Sequence, residues 1–128
     1  ASDHRARSKD TKVQPFSAAS VGASGIETLF SITLDLVHKK IIDINKAISF
    51  LTINPAKIFG IDSPCLEKKK VADFIVFNQN EPHTIKQENL KTSPTPFDGK
   101  KIYGKILATY INGQVAFMDQ IFKNKIIK

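Results

Sequence analysis

The apolar residues of this chain switch from a helical period to a strand period at Val71, which confines the fold to a mixed α/β type. Upstream, Ile26, Leu29, Phe30, Thr33 and Val37 recur at three- and four-residue steps and line one helix face. Ser24 and Glu27 have capping-box spacing, in which the hydroxyl caps the first turn and the carboxylate reaches back. Lys39, Lys40 and a protonated His38 suit the negative end of the dipole, so a helix is expected from Ile26 to about residue 39. Asp43 is a second cap, ahead of Ile44, Ala47, Ile48 and Leu51, with that helix running to Thr52. Asn54 is expected to cap a third helix, with Pro55 at its first position and Gly60 closing it in the left-handed conformation. The apolar faces of these helices require a partner surface, which a sheet would supply.

Downstream, Val71 to Phe77 is rich in branched and aromatic residues and short enough for a strand. Thr84-Ile85-Lys86 reads as a second, short strand, and Lys91 to Lys100, with Pro94, Pro96 and Gly99, as a loop. Ile102 to Ile111 reads as a long strand. Asn112-Gly113 is the strongest hairpin signal in the chain, because both turn positions need positive φ, and it leads back into Gln114 to Met118. The basic tail after Asp119 is expected to fray.

A chain of 128 residues can bury one core. Its apolar and charged fractions, 41% and 24%, are ordinary for a globular protein, and no apolar run approaches the length of a membrane span. Nothing marks a secretory signal, which makes cytoplasm the expected compartment. Cys65 is alone, excluding an internal disulfide and a cysteine-based zinc site, and reads as an inert thiol. The net charge of +7 raises nucleic acid as a partner, but the basic clusters at Arg5 to Lys12, Lys68 to Lys70 and Lys123 to Lys128 lie far apart. With no aromatic-interleaved basic motif and no zinc-finger spacing, neither nucleic acid nor membrane is expected as a partner. There is no internal repeat of solenoid length.

Chemistry concentrates at the start of the chain. Ser2-Asp3-His4-Arg5-Ala6-Arg7 is followed by Pro15-Phe16 and by Gly22-Ala23-Ser24-Gly25-Ile26-Glu27-Thr28. Residues 1–21 are polar without a sustained period, so they read as a loop after a strand stub. An Asp-His pair at such a junction is where a barrel-type metal-dependent hydrolase keeps its final ligand. A carboxylate there can bind a divalent metal and shuttle a proton, which makes Asp3 the candidate, against the plain reading of a strand-end aspartate. His38 and His83 look ordinary, and with His4 they do not make a zinc site by spacing. Because a barrel takes about 250 residues and Met118 is the only methionine, the chain reads as the C-terminal piece of a longer enzyme.

These segments resemble the last active-site strand and substrate loop of dihydroorotases, members of the cyclic amidohydrolase superfamily. The resemblance continues through Ile53-Asn54-Pro55-Ala56-Lys57-Ile58-Phe59-Gly60, Val71-Ala72-Asp73-Phe74-Ile75-Val76-Phe77, Thr95-Pro96-Phe97-Asp98-Gly99 and Asn112-Gly113, and so spans Ser2 to about Met118. Asn-Pro-Ala and Ala-Asp also occur in allantoinases, whereas the spaced set with Thr-Pro-Phe-x-Gly points to dihydroorotase. The fold implied is α/β, the C-terminal fragment of a metal-dependent hydrolase (β/α) barrel plus a small flanking antiparallel sheet. Residues 1–62 would be the last barrel strand, substrate loop and helices, and 63–128 the flanking sheet.

The activity implied is reversible, zinc-dependent interconversion of N-carbamoyl-L-aspartate and dihydroorotate. In it Asp3 is metal ligand and acid-base, and Arg7, Phe16 and Ser17 bind substrate. His4 is a positioning residue or a structural, hydrogen-bonded one. A guanidinium suits a substrate carboxylate through paired charge-assisted bonds, although Arg7 could equally be solvated. Departures fall at Arg5-Ala6, where relatives have Ala-Pro, at Ser17, where many have glycine, and at Pro64 and Lys69, where two turn glycines are usual. The other zinc ligands are not in the sequence, so the zinc site is incomplete and the missing barrel portion, or a homo-oligomer, is the expected partner. The rival reading is a non-catalytic remnant or assembly subunit that binds a partner chain through its exposed faces. A basic nucleic-acid-binding module is the third.

Overall fold

The computed structural model describes residues 2–62, 65–92 and 94–126. Its elements are α1 (Lys9–Lys12), α2 (Leu29–His38), α3 (Ile44–Leu51), α4 (Ile53–Phe59), β1 (Phe74–Thr84), a 3-10 turn at Gln87–Asn89, β2 (Lys101–Ile111), β3 (Gln114–Met118) and α5 (Gln120–Ile126). The strands form an antiparallel sheet in the order β1-β2-β3. This is a mixed α/β arrangement with a small three-stranded antiparallel sheet.

The sheet is registered by its turn and by one close approach. Asn112 and Gly113 take φ of 52° and 73°, as a two-residue hairpin with both central positions left-handed demands. Asp73 Oδ1 accepts from Asn112 N–H at 2.6 Å and the Ala72 carbonyl from Gly113 N–H at 3.0 Å, so the Ala-Asp pair ahead of β1 holds the hairpin turn. In the middle of β2, Gly104 has φ 94°, and a Cβ there would stand 2.2 Å from Leu34 Cδ1. Only glycine lets α2 lie this close to the strand. Leu34 and Ile102 are the largest fully buried side chains, and Ala47, Ala56, Ile85 and Ala108 complete the buried apolar set among the described residues. Phe30 meets Phe77 edge to face at 4.9 Å, a second tie between α2 and the sheet.

Asp35 is buried on α2 and paired with Lys39 at 2.9 Å and Lys100 at 3.0 Å. Hydrogen bonds from Lys39 and then Lys100 outweigh desolvation and hold its carboxyl below the usual carboxylate range. Two cations on one buried carboxylate therefore fasten the helix to the start of β2.

Several local expectations change. The helix expected from Ile26 begins at Leu29, because Ser24 and Glu27 bond elsewhere and leave Thr28 as an N-cap whose side chain makes no capping bond. Asp43 does cap α3, accepting from Lys46 N–H at 2.9 Å. Thr52, not Asn54, precedes α4, which places Pro55 inside the first turn, where its missing donor is still an orphan group. Gly60 closes α4 at φ 65°.

The strand expected from Val71 begins at Phe74 and runs to Thr84, so of the separate strand expected at 84–86 only Thr84 is in a strand, as the end of β1. Register shifts at Val76/Phe77 and Asn78/Pro82 make this length possible, since a bulge tolerates a proline without a ladder donor. His83, expected in a loop, pairs with Ile102. His38 ends α2 as expected, and there its Nε2 lies 2.7 Å from the Gln79 carbonyl while the ring stacks on Tyr103. The tail after Asp119 forms α5, because Asp119 caps it by accepting from Phe122 N–H and is held by Lys105 at 2.9 Å. Pro64 lies outside the described residues, and Lys69 takes the positive φ of 69° that a glycine would adopt freely.

Candidate active site

The segment from Ser2 to Gly22 folds as a closed excursion tied at its base. Arg5 N–H donates to the Ala23 carbonyl at 3.0 Å, and a Cβ on Gly22 would fall 2.7 Å from Arg5 Cβ, so the two limbs lie side by side only with glycine there. Further out, Ser20 N–H donates to the Thr11 carbonyl at 2.9 Å. Lys12 Nζ reaches across to the carbonyls of Ser20 and Gly22 at 2.9 and 3.0 Å. Residues expected to be plain loop therefore contain α1, one turn that presents Lys12 to the returning limb.

Asp3 sits at the base of this loop with φ 43°, a conformation few non-glycine residues hold, and its side chain is 91% exposed. Among the described residues Asp3 has one cation within 4 Å, Arg5, whose Nε lies 3.9 Å from Asp3 Oδ1. The residues on either side both meet the backbone at 25–26. The Ser2 carbonyl packs 3.0 Å from where a Gly25 Cβ would be. His4 Nδ1 accepts from the Gly25 and Ile26 N–H groups at 3.2 and 3.3 Å. In the neutral ring that assigns the hydrogen to Nε2. The carboxylate is thus presented outward from a backbone fixed on both sides.

Arg7 is exposed, and its Nε donates to the Val21 carbonyl at 3.2 Å, with no hydrogen bond from the two terminal nitrogens among the described residues. Phe16 is fully exposed and Ser17 exposed, at a turn where the Pro15 carbonyl accepts from Ala18 and Ala19 N–H. All four sequence-derived candidates lie on one loop. Among the described residues no hydrogen bond or ion pair joins Asp3 to Arg7, Phe16 or Ser17.

Among the described residues there is also no group of three His, Cys, Asp or Glu side chains placed to hold a metal. Asp3 can offer one carboxylate ligand, whereas a zinc ion takes three or four protein ligands. The donors of this chain are therefore insufficient by themselves.

Sequence reasoning missed what supports the loop. Glu27 accepts from Lys91 N–H at 3.0 Å, Thr92 N–H at 2.8 Å and the Thr92 hydroxyl at 2.6 Å. The Ser24 hydroxyl bonds the same Thr92 oxygen, and Ser24 N–H donates to the Pro94 carbonyl. Burial raises the Glu27 carboxyl, but the Thr92 hydroxyl, the two N–H donors and the Lys91 charge outweigh it and leave it below its usual value. The same stretch is bolted to the sheet. Thr95 N–H donates to Gln87 Oε1 at 2.7 Å and Asp98 Oδ1 accepts from Gln87 N–H at 2.8 Å, which is the work of the Thr-Pro-Phe-Asp-Gly segment.

Residues 7–116 match the amidohydrolase family, and the chain belongs to that family. It is 35% identical over 123 residues to a dihydroorotase from Clostridium acetobutylicum, covering 94% of this chain and 29% of that protein. To a dihydroorotase from Pyrococcus furiosus it is 37% identical over 121 residues, covering 93% of this chain and 28% of that one. In three dimensions it is similar to a solved D-hydantoinase, with a TM-score of 0.77 at 21% identity over 87% of this chain and 25% of that one. The chain thus spans less than a third of the length of the curated relatives it matches.

Proposed function

We propose that this chain is the C-terminal part of a dihydroorotase-type hydrolase, contributing the last barrel strand, the substrate loop and the flanking sheet to a site completed by residues outside these 128. The observation that carries the reading is Asp3. The aspartate of the dihydroorotase-like motif is exposed at positive φ, next to His4, which is anchored on the 25–26 backbone. The similarity to dihydroorotases at 35% and 37% identity supports the same assignment.

On this reading the ring of dihydroorotate opens by attack of water on an amide carbonyl. The Asp3 carboxylate takes the proton from the water as the carbon–oxygen bond forms. It then delivers that proton to the ring nitrogen as the carbon–nitrogen bond breaks, giving N-carbamoyl-L-aspartate. Closure runs through the same positions in reverse. The terminal nitrogens of Arg7 pair with the substrate carboxylate, with Nε held on Val21. Phe16 and Ser17 bring the turn after Pro15 against the pyrimidine ring. Asp3 would supply one ligand to zinc, and the remaining ligands would come from the part of the enzyme outside these 128 residues.

The test is a chimera in which this chain replaces its counterpart in the Clostridium acetobutylicum dihydroorotase. Zinc-dependent hydrolysis of dihydroorotate is the expected result, and a folded chimera with no turnover would count against the reading. A second reading, a non-catalytic subunit that binds a partner chain, draws on apolar side chains left outside, with Ile58 79%, Phe59 78% and Leu66 83% exposed. It predicts a defined complex in solution and no turnover in the chimera.

A further inference from the structure

The Gly25-Ile26 peptide lies between two sets of contacts. On one side its N–H groups donate to His4 Nδ1, and Gly25 packs under the Ser2 carbonyl. On the other, the residues flanking it are fixed to a segment more than sixty residues away in sequence. Glu27 takes its three hydrogen bonds from Lys91 and Thr92. Ser24, only 2% exposed, bonds Thr92 through its hydroxyl and Pro94 through its N–H. The hydroxyls form a relay in which Ser24 donates to Thr92 and Thr92 donates to Glu27. A carboxylate that accepts three bonds from one loop while standing one and two residues from the N–H groups that donate to His4 fixes the direction of those donors.

We infer that Glu27 is a positioning residue for Asp3, acting through the Gly25-Ile26 N–H groups and the His4 ring, with Thr92 as its partner. This deepens the hydrolase reading and rests on it. Glu27 touches no candidate substrate-binding residue. With the clamp closed, the paired donors at 25 and 26 hold His4 in one tautomer, with the Nδ1 lone pair occupied. The backbone at Asp3, between His4 and the packed Ser2 carbonyl, then keeps its left-handed turn. An amide in place of the carboxylate cannot accept from all three donors, since its nitrogen would face an N–H group. At least one of the Lys91 and Thr92 donors would lose its acceptor, and the 24–27 backbone would lose its fixed direction.

The test reads the ring nitrogens of His4 by nitrogen NMR on the full chain, at a pH where the ring is neutral. The wild type is expected to show a single tautomer, Nε2 protonated and Nδ1 accepting. In Glu27→Gln the His4 Nδ1 signal shifts toward the average of the two tautomers, while His38 and His83 do not move and the Asn112-Gly113 turn amides keep their positions. Thr92→Val, which removes one bond and the Ser24 relay, gives a smaller shift in the same direction. Thr92→Ser, which keeps the hydroxyl, restores the wild-type signal. A purely structural role for Glu27 would move all three histidines together. An unchanged His4 tautomer in Thr92→Val, or in a folded Glu27→Gln, overturns the inference. The readout does not depend on turnover, so an inactive chimera with the tautomer effect intact rejects the hydrolase reading alone. An active chimera without that effect rejects the clamp alone.

Discussion

The loop of residues 2–22 and the unit built from α2 and the sheet are held by different forces. In α2 and β2 the side chains interlock: Leu34 fills the space over Gly104, Ile102 is buried, and Asp35 is neutralised by two lysines. In the loop none of the described residues is buried, and its order comes from backbone carbonyls bonded by Arg5, Arg7, Lys12 and Ser20. Burial fixes a scaffold tightly but leaves its groups unavailable, whereas hydrogen bonds at a surface hold a shape and leave side chains free to meet a substrate. The division predicts that substitutions in the first region cost stability, while those in the second cost function.

The largest expected effect is at Gly104. A Cβ there meets Leu34 and must also adopt positive φ, so Gly104→Ala should destabilise by about 2–4 kcal/mol, read as a drop in the urea midpoint. Leu34→Ala removes the opposing group and leaves a cavity, with an expected cost of about 2–4 kcal/mol. The double variant should be less destabilised than the sum, since the added Cβ enters the space the leucine vacates. Strict additivity would show that the helix does not rest on Gly104 as described.

A medium effect is expected at Asp35, and its sign follows from the depressed carboxyl. The ion pairs contribute fully above the ordinary carboxylate range, and that contribution is lost as pH falls through the lower value of the folded state. Denaturant midpoints measured from neutrality into acid should fall less steeply for Asp35→Asn than for the parent chain. Equal slopes would show that the two lysines do not stabilise the charged form.

The smallest stability effect belongs to the loop. Arg7→Ala and Phe16→Ala should each change the urea midpoint by no more than about 0.5 kcal/mol, because neither side chain is packed. In the chimera the same Arg7 variant should raise KM for dihydroorotate about tenfold or more, the loss of a charged pair. A destabilisation as large as that of Leu34→Ala would erase the contrast between the regions.

What could be read from the sequence were features whose cause is local. Asn112-Gly113 and the Asp43 cap depend on the backbone preferences of neighbouring residues and form as expected. The Ser24 and Glu27 spacing has the form of a capping box, yet both side chains serve Thr92, a partner that no local pattern identifies. Gly104 gives no signal as a contact point, because the leucine that requires it lies on another element. The site divides in the same way. Asp3, Arg7, Phe16 and Ser17 are named from their motif, while the support of Asp3 by His4, Gly25 and Ile26 needed three dimensions. The length and bulges of β1 were hidden for a related reason, since the pairing that carries it past Phe77 to Thr84 is made with β2.

The most direct test is the turnover of Asp3→Asn in the chimera, measured beside its thermal midpoint. The substitution keeps shape and removes the proton acceptor, so dihydroorotate hydrolysis should fall by about a thousandfold while the midpoint stays within about two degrees of the parent. Hydrolysis at the parental rate would contradict the assignment of Asp3, and with it the claim that this loop carries the chemistry.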